Sequence, residues 1–307
     1  MHRRPKKILI RLAGIFVIVA TLLTWLPLIS PVFGQESSVS YIVKNVSIVD
    51  LQNNTTLKNQ DVIIEGDQIS NIVSTDENKS YQAVTVIDGS GKFMMPGLID
   101  SHVHLREPDI GLKVYPGFGI TTVRVMEGSD KILKLKKQVS QNELFAPTLF
   151  TTTPYIEDLI NPETDTDSLI TALKRTGYDF VKIHDDIPEA HYRELVEATR
   201  KAGMKLVGHA QRDKPIAFTV EFWQDEISHS EEFIYTYFDD QVSDTSGVAE
   251  LVEMVASSGI TVVPNIIFFK GMYRQATDNY FQIITDPDLC LSATATRLDS
   301  RQSPFLY

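Results

Sequence analysis

Four histidines and one lysine could take part in metal chemistry. Each of them lies at the end of a short apolar run or directly after one: His102, His104, Lys182, His209 and His229. His102 and His104 are two residues apart, so both imidazoles point to the same side of an extended segment. Three or four histidines around an open coordination position suit zinc, or another divalent transition metal, that catalyses hydrolysis. Taken singly, His209 or His229 would also suit a hydrogen-bonded core position, and Lys182 a chain end that reaches solvent. The joint histidine spacing predicts a site for one or two metal ions.

The composition excludes several other kinds of site. Cys290 is the only cysteine, so an internal disulfide and a cysteine-based zinc cluster are both ruled out. The chain has 29 Lys and Arg against 40 Asp and Glu, a net charge of -11, which argues against a nucleic-acid-binding surface. Its 307 residues are 43% hydrophobic, enough for a packed core and about two domains. A metal site must therefore use histidine, carboxylate or a modified lysine.

Residues 1–34 are predicted to be a targeting segment. Five basic residues precede an uncharged stretch at 12–29, which is the pattern of a secretory signal peptide cut before Gln35. An uncleaved membrane tether through residues 8–29 is the alternative, because about 20 apolar residues span a bilayer. Either interpretation predicts that the rest of the chain is secreted or periplasmic, or anchored to a membrane.

The remainder is predicted to contain two domains. Short β-branched runs between turn residues predict strands at 41–43, 46–49, 62–64, 69–73 and 84–87, which indicate half of a small β-sandwich at 35–93. After Met95, apolar runs alternate with helical stretches: strands are expected at 97–100, 120–125, 148–150, 180–183, 205–209, 226–229 and 260–264, and helices at 164–175, 189–201 and 246–257. This α/β pattern predicts a (β/α)₈ TIM-type barrel over 94–307, with no eighth strand visible. The carboxyl ends of barrel strands converge on one mouth, where the four histidines and Lys182 are expected to meet.

The residues around these positions resemble the amidohydrolase superfamily. The segment 88–104, DGSGKFMMPGLIDSHVH, resembles the first-strand motif of that superfamily. The segment 119–124, GITTVR, resembles the second-strand motif of its imidazolonepropionase-like and Xaa-Pro-dipeptidase-like branch, and 180–183, 208–210 and 228–229 match that branch in the same order. The resemblance covers 41–307. It implies a barrel with a composite β-sandwich built from both chain ends.

The resemblance also implies a role for each ligand. His102 and His104 would hold a more buried metal ion, and His209 and His229 an outer one. Lys182 would bridge the two ions as a carbamate derived from CO₂. Water activated by the metal would then attack an amide, a lactam or a similar carbon–nitrogen bond.

Two further residues are candidates for substrate binding. Arg106 follows the His-x-His motif and could pair with a substrate carboxylate, although a surface ion pair with Glu107 or Asp109 is equally open. His184 lies two residues beyond Lys182 and therefore points to the same side. A substrate contact and a merely solvated position both remain open for it.

The sequence departs from the family pattern at its C-terminal end. The family supplies an aspartate after the eighth strand that binds metal and moves a proton. Asp286 is the candidate here because it follows Ile283-Ile284-Thr285, yet Asp286-Pro287-Asp288 is also typical of a turn. We therefore expect a C-terminally truncated chain with little hydrolase activity.

These features predict a secreted, metal-dependent amidohydrolase that acts on a dipeptide or an N-acyl amino acid. The run 104–108, HLREP, also resembles cyclic-amide hydrolases such as dihydroorotases. A non-catalytic remnant that binds metal or ligand is a second alternative, and a membrane-tethered structural protein is a third. Oligomeric state is not encoded in these spacings.

Overall fold

A computed structural model describes residues 39–75, 85–106, 108–222, 224–240 and 246–277. The targeting segment at 1–34 and the candidate Asp286 lie outside these residues, so both stay predictions. Across the described ranges, no helix combines the length and apolar character that a membrane crossing needs. The chain divides into two compact units between Pro96 and Gly97.

The first unit is a five-stranded sheet, which confirms the predicted N-terminal β unit. Its strands are β1 (Val39–Asp50), β2 (Thr55–Glu65), β3 (Gln68–Ser74), β4 (Thr85–Asp88) and β5 (Phe93–Met94). The order is β3-β2-β1-β4, with β5 also paired to β1. Two small apolar clusters form around this sheet: Ile42, Ile63 and Val73 in one, and Val43, Val46 and Val62 in the other.

One element of the first unit differs from the prediction. The sequence predicts two strands at 41–43 and 46–49, whereas the structure has one continuous β1. Asn45 adopts φ 54°, and the register with β2 shifts around it. Its N–H donates to Asp61 Oδ1 at 2.9 Å, so a polar turn residue is held within the strand as a β-bulge.

The second unit is a nearly closed parallel barrel, as predicted, with seven strands in the described residues. They are β6 (Leu98–Val103), β7 (Ile120–Val125), β8 (Thr148–Tyr155), β9 (Phe180–Ile183), β10 (Leu206–Gly208), β11 (Glu226–Ser228) and β12 (Thr261–Val263). Each strand pairs in parallel with the next in sequence order. All seven predicted strands of this unit are confirmed.

Helices alternate with the barrel strands along the chain. They are α1 (Pro108–Val114), α2 (Asp130–Ser140), α3 (Thr166–Thr176), α4 (Glu189–Lys201), α5 (Ile216–Glu221), α6 (Glu232–Thr236), α7 (Val248–Ser258) and α8 (Ile266–Thr277). The three predicted helices correspond to α3, α4 and α7, within two residues at each end. Side chains cap two of them locally: Asp165 accepts from the Ser168 N–H before α3, and Ser129 from the Ile132 N–H before α2.

Alternation along the strands decides which side chains meet the helices. Val123 and Val125 of β7 join one buried cluster, and Val181 and Ile183 of β9 join another. These clusters also contain helix residues: Leu112, Ile132, Leu135, Ile170, Tyr192 and Leu195. Because successive side chains of a strand point to opposite faces, the residues between the apolar ones point into the barrel.

Candidate active site

The inward positions of the barrel strands carry the polar side chains. Lys182 lies between the outward Val181 and Ile183, and it is buried with 1% of its surface exposed. Glu226 flanks the outward Ile227 on β11 and is also buried. The sequence therefore places charge inside the barrel by strand alternation.

The structure brings all four predicted histidine ligands together, with His184 beside them. The ring centroids of His102 and His104 are 5.4 Å apart, and those of His102 and His229 are 4.5 Å apart. The His209 ring lies 5.1 Å from that of His229 and 4.6 Å from that of His184. We call these five residues the histidine cluster. That the cluster binds metal remains a prediction.

Two members of the cluster sit just beyond short strands. The His209 N–H donates to the Ile183 carbonyl at 3.0 Å, which aligns the end of β10 with β9. Gly208 has φ 133°, and a Cβ there would lie 1.9 Å from the same carbonyl oxygen, so only glycine fits. His229 follows β11 with φ 74°, a conformation that costs a non-glycine residue strain.

Burial favours the neutral form of the four predicted histidine ligands. Loss of solvent lowers the pKa of His102 and of His209 to about 2, with further repulsion from Lys182 in both cases. The pKa of His229 falls to about 4, again chiefly by burial. Burial also lowers the pKa of His104, although Glu127 opposes this through its contact with Nδ1 at 3.3 Å. Neutral imidazoles leave nitrogen lone pairs free to bind a cation.

The residues present fit a divalent cation. Both ring nitrogens of His102, and Nδ1 of His229, are buried and find no hydrogen-bond partner among the described residues. Buried polar atoms are almost always satisfied in folded proteins, so atoms without a protein partner in a polar cluster point to a bound ion or water. Several neutral imidazoles in one place form a donor set typical of zinc.

Lys182 is an almost fully buried lysine inside the barrel. Burial lowers the pKa of its ammonium to about 8, although Glu226, Glu157 and Glu232 oppose the shift. Its backbone N–H donates to Thr153 Oγ1 at 3.0 Å, which fixes the residue in β9. A lysine with this pKa presents a nucleophilic free amine in weakly alkaline solution.

His184 faces the mouth in a second polar group. Its ring stacks on Tyr155 with centroids 4.3 Å apart, and ligand atoms of Glu157, His184 and Asp185 all lie within 4.8 Å of one another. These three side chains could also hold an ion. However, the two Glu157 oxygens accept the backbone N–H groups of His184 and Asp185 at 3.3 and 2.8 Å. Glu157 therefore already fixes the loop after β9.

Two ion pairs beside the cluster were missed from the sequence. Glu232 is fully buried and accepts from Arg212, whose Nε lies 3.2 Å from both carboxylate oxygens. Its Oε1 also lies 3.7 Å from His209 Nδ1. In the second pair, Arg124 Nη2 contacts Glu226 Oε1 at 2.6 Å. The two residues of each pair are far apart in the sequence and follow no regular spacing, so the sequence gives no indication that they pair.

The predicted substrate residue Arg106 is exposed. Of its two alternative ion-pair partners, Glu107 lies outside the described residues. A substrate contact for Arg106 stays a prediction.

No family model matches the chain. The chain is similar to a dihydroorotase from Bacillus licheniformis, at 35% identity over 109 residues that cover 33% of this chain and 24% of the relative. It is similar to an imidazolonepropionase from Bacillus cereus, at 36% identity over 102 residues that cover 31% of this chain and 23% of the relative. The matched region thus spans about a quarter of either relative.

Two solved structures of hydrolases share most of the fold. A Xaa-Pro dipeptidase with bound methionine in its active site aligns with a TM-score of 0.59 and 17% identity, covering 78% of this chain and 70% of that one. The bottromycin amidohydrolase aligns with a TM-score of 0.60 and 16% identity, covering 86% of this chain and 61% of that one. The chain has the amidohydrolase fold. The resemblance predicted from the strand motifs is confirmed. In barrels of this architecture the active sites lie at the carboxyl ends of the strands, which is where the histidine cluster lies.

Proposed function

We propose that the chain is a metal-dependent amidohydrolase that hydrolyses a carbon–nitrogen bond in a dipeptide or an N-acyl amino acid. The observation that carries the proposal is the histidine cluster at the mouth of the barrel, in which both ring nitrogens of His102 and Nδ1 of His229 are buried without a hydrogen-bond partner among the described residues. The similarity to hydrolases in both sequence and fold supports the same class of reaction.

His102, His104, His209 and His229 would hold one or two divalent ions, with zinc as the candidate. An ion held there supplies a Lewis acid, which lowers the pKa of a water molecule and polarises the scissile carbonyl. The chain's own residues prepare the site for it. Because the pKa values of His102, His209 and His229 lie at or below about 4, their lone pairs are free throughout the neutral range.

Lys182 is proposed to become a carbamate. Its free amine would attack the carbon of CO₂, so that a new N–C bond forms while one C=O π bond breaks, its electron pair goes to oxygen, and the nitrogen releases one proton to solvent. The lowered pKa of about 8 supports this step, because a fully protonated ammonium has no lone pair. The product replaces a cation, which would repel metal ions, with a carboxylate-like group that attracts them.

The substrate proposal rests on shape and charge at the mouth. Dipeptides and N-acyl amino acids share a carboxylate, which the Arg106 guanidinium would bind through paired hydrogen bonds. His184 and Tyr155 stack with only 16° between their planes and would offer a flat wall beside the cluster. The fold shared with a Xaa-Pro dipeptidase supports a dipeptide as the substrate.

Asp286 stays a proposed proton-transfer group.

A cyclic amide is the second candidate substrate. The 35% identity to a dihydroorotase favours it, together with the resemblance of residues 104–108 to cyclic-amide hydrolases.

We also propose that residues 1–34 direct the chain out of the cytoplasm, or tether it to a membrane. Such a location suits scavenging of peptides better than synthesis of pyrimidines.

Turnover by the purified, zinc-loaded chain tests the proposal. Dipeptides, N-acyl amino acids and dihydroorotate are offered separately, and we expect weak hydrolysis that is confined to one of the first two classes. His209→Ala should abolish this hydrolysis. His191→Ala, on the outer helix α4, is the matched control and should keep it. Hydrolysis of dihydroorotate alone would favour the cyclic-amide alternative, and metal binding without turnover would favour a non-catalytic remnant.

A further inference from the structure

A buried arginine links two strands that do not pair in the described sheet. Arg124, on β7, contacts Glu226 Oε1 of β11 through Nη2 at 2.6 Å. Its Nε donates to the Ser101 carbonyl of β6 at 2.7 Å. In the sheet order β11 pairs with β10 and β12, so no backbone ladder joins β11 to β6. One guanidinium therefore makes this connection through the barrel interior.

The two strands that Arg124 links are the ones that carry facing members of the histidine cluster. Ser101 directly precedes His102, and Glu226 lies three residues before His229. The rings of these two histidines are 4.5 Å apart. A change in the contact from Arg124 to either strand would therefore change the separation of these rings.

The surroundings of the ion pair hold it in one arrangement. The side chains of Arg124 and Glu226 are only 11% and 7% exposed. Ser228 Oγ lies 3.3 Å from Glu226 Oε1, and the Gln224 amide donates to the Glu226 carbonyl at 2.7 Å. The Arg124 guanidinium also lies 5.2 Å from the centre of the Phe180 ring. A planar guanidinium with fixed donors suits a bridge of constant length better than a flexible ammonium does.

We propose that Arg124 is a positioning residue that sets the distance between the metal ligands His102 and His229. The inference rests on the proposed function, because Arg124 can position metal ligands only if the histidine cluster binds metal. Metal sites demand ligands held within about half an ångström, so a strand end that drifts by more than this weakens the site. Arg124 acts through the two strands and touches no reacting atom.

The test separates positioning from stability with a paired substitution. Arg124→Met/Glu226→Leu removes both charges, and replacing a buried ion pair with apolar side chains is often neutral or stabilising. We expect a folded protein whose zinc affinity is about 10- to 100-fold weaker, the usual effect of losing a group that orients ligands. The visible spectrum of the cobalt-substituted chain should change as well, since it reports ligand geometry directly.

The matched control removes a second ion pair away from the mouth. Lys136 of α2 contacts Asp179, just before β9, at 2.6 Å. Lys136→Met/Asp179→Asn breaks this pair while keeping an acceptor for the Thr151 N–H that Asp179 now binds. We expect wild-type zinc affinity and an unchanged cobalt spectrum from this variant.

Arg124→Lys provides a second measurement if the apolar pair folds poorly. It keeps a positive charge beside Glu226, but a single ammonium nitrogen cannot span both acceptors with the geometry of the guanidinium. Weakened zinc binding by this variant supports the bridge. Wild-type affinity and spectrum in either Arg124 variant would overturn the inference while leaving the proposed function intact. A wild-type chain that binds no divalent metal would overturn both.

Discussion

The His102 ring at the end of the first barrel strand lies 4.5 Å from the ring of His229, which follows the sixth. Neighbouring strands are about 4.8 Å apart, so five steps across a flat sheet would separate these strands by about 24 Å. Curvature of the sheet removes nearly all of that distance. The histidine cluster is thus a product of barrel closure, and changes that loosen the closure should be detected first as weaker metal binding.

Removal of the His-x-His pair should empty the site. His102→Ala/His104→Ala takes away two of the four proposed ligands, so we expect the metal content to fall from one or two ions per chain to nearly none. Elemental analysis of the purified chains measures this directly. His191→Ala, a histidine of the outer helix α4, should keep the wild-type content. Unchanged metal in the double variant would place the ion elsewhere, with Glu157, His184 and Asp185 as the next candidates.

Lys182 should take up CO₂ when metal is bound. With its pKa lowered to about 8, an increasing fraction of the amine is free as the pH rises from 7 to 9. We expect a carbamate resonance in the ¹³C NMR spectrum of the zinc-loaded chain with labelled bicarbonate. Lys182→Met should lose the resonance, and Lys136→Met should retain it. A resonance that survives Lys182→Met would contradict the assignment.

The metal-free protein should lose stability in mild acid. The His229 pKa falls from 6.5 to about 4 on folding, and those of His102 and His209 fall to about 2. Between these values and 6.5 the unfolded chain binds protons that the folded chain does not. The free energy of unfolding that comes from keeping these histidines neutral is therefore fully present above pH 6.5. It is lost as the pH falls from 6.5 towards the pKa values of the folded state.

Urea denaturation in the presence of a chelator measures this effect. The free energy of unfolding should decrease from pH 7 to pH 5 in the wild type. His102→Asn/His209→Asn removes two of the groups that charge on unfolding, and its pH dependence should be shallower over the same range. Equal slopes for the two proteins would show that these histidines are not held neutral by the fold.

Gly208 should tolerate no side chain. A Cβ would lie 1.9 Å from the Ile183 carbonyl oxygen, and the φ of 133° is itself unfavourable for alanine. We expect Gly208→Ala to destabilise the fold by at least about 2 kcal/mol and to displace His209. Thermal denaturation measures the first effect and zinc titration the second. Gly271→Ala is the control, because a Cβ there meets no atom of the described residues within 4 Å and alanine favours the helix α8.

The barrel was largely predictable because its strands are short apolar runs with β-branched residues. Strand alternation then explains why His102, Lys182 and the histidines after β10 and β11 share one mouth. Helix α2 was not predicted because its apolar pattern is weak. Among its residues only Ile132 and Leu135 are buried, and four lysines interrupt the apolar stripe. The prediction of a separate strand at 46–49 was wrong, because Asn45, which is typical of turns, lies in a β-bulge within one continuous strand.

The supporting ion pairs were beyond the reach of sequence reasoning. Arg124 and Glu226 are 102 residues apart, and each looks like an ordinary polar residue in a strand. Their pairing exists only after five strands have curved into place. Glu232 gives no sign in the sequence that it will be fully buried beside His209. Contacts across a barrel depend on closure, and local spacing carries no information about closure.

The alternation along β9 has a consequence for how such a protein could evolve. Val181 and Ile183 face the helices while Lys182 faces the interior, so packing and chemistry occupy different residues of the same strand. An apolar residue can be exchanged for another without moving the lysine out of register. Stability and substrate preference can therefore drift independently through single substitutions, whereas an insertion or deletion of one residue would exchange the two faces and destroy both.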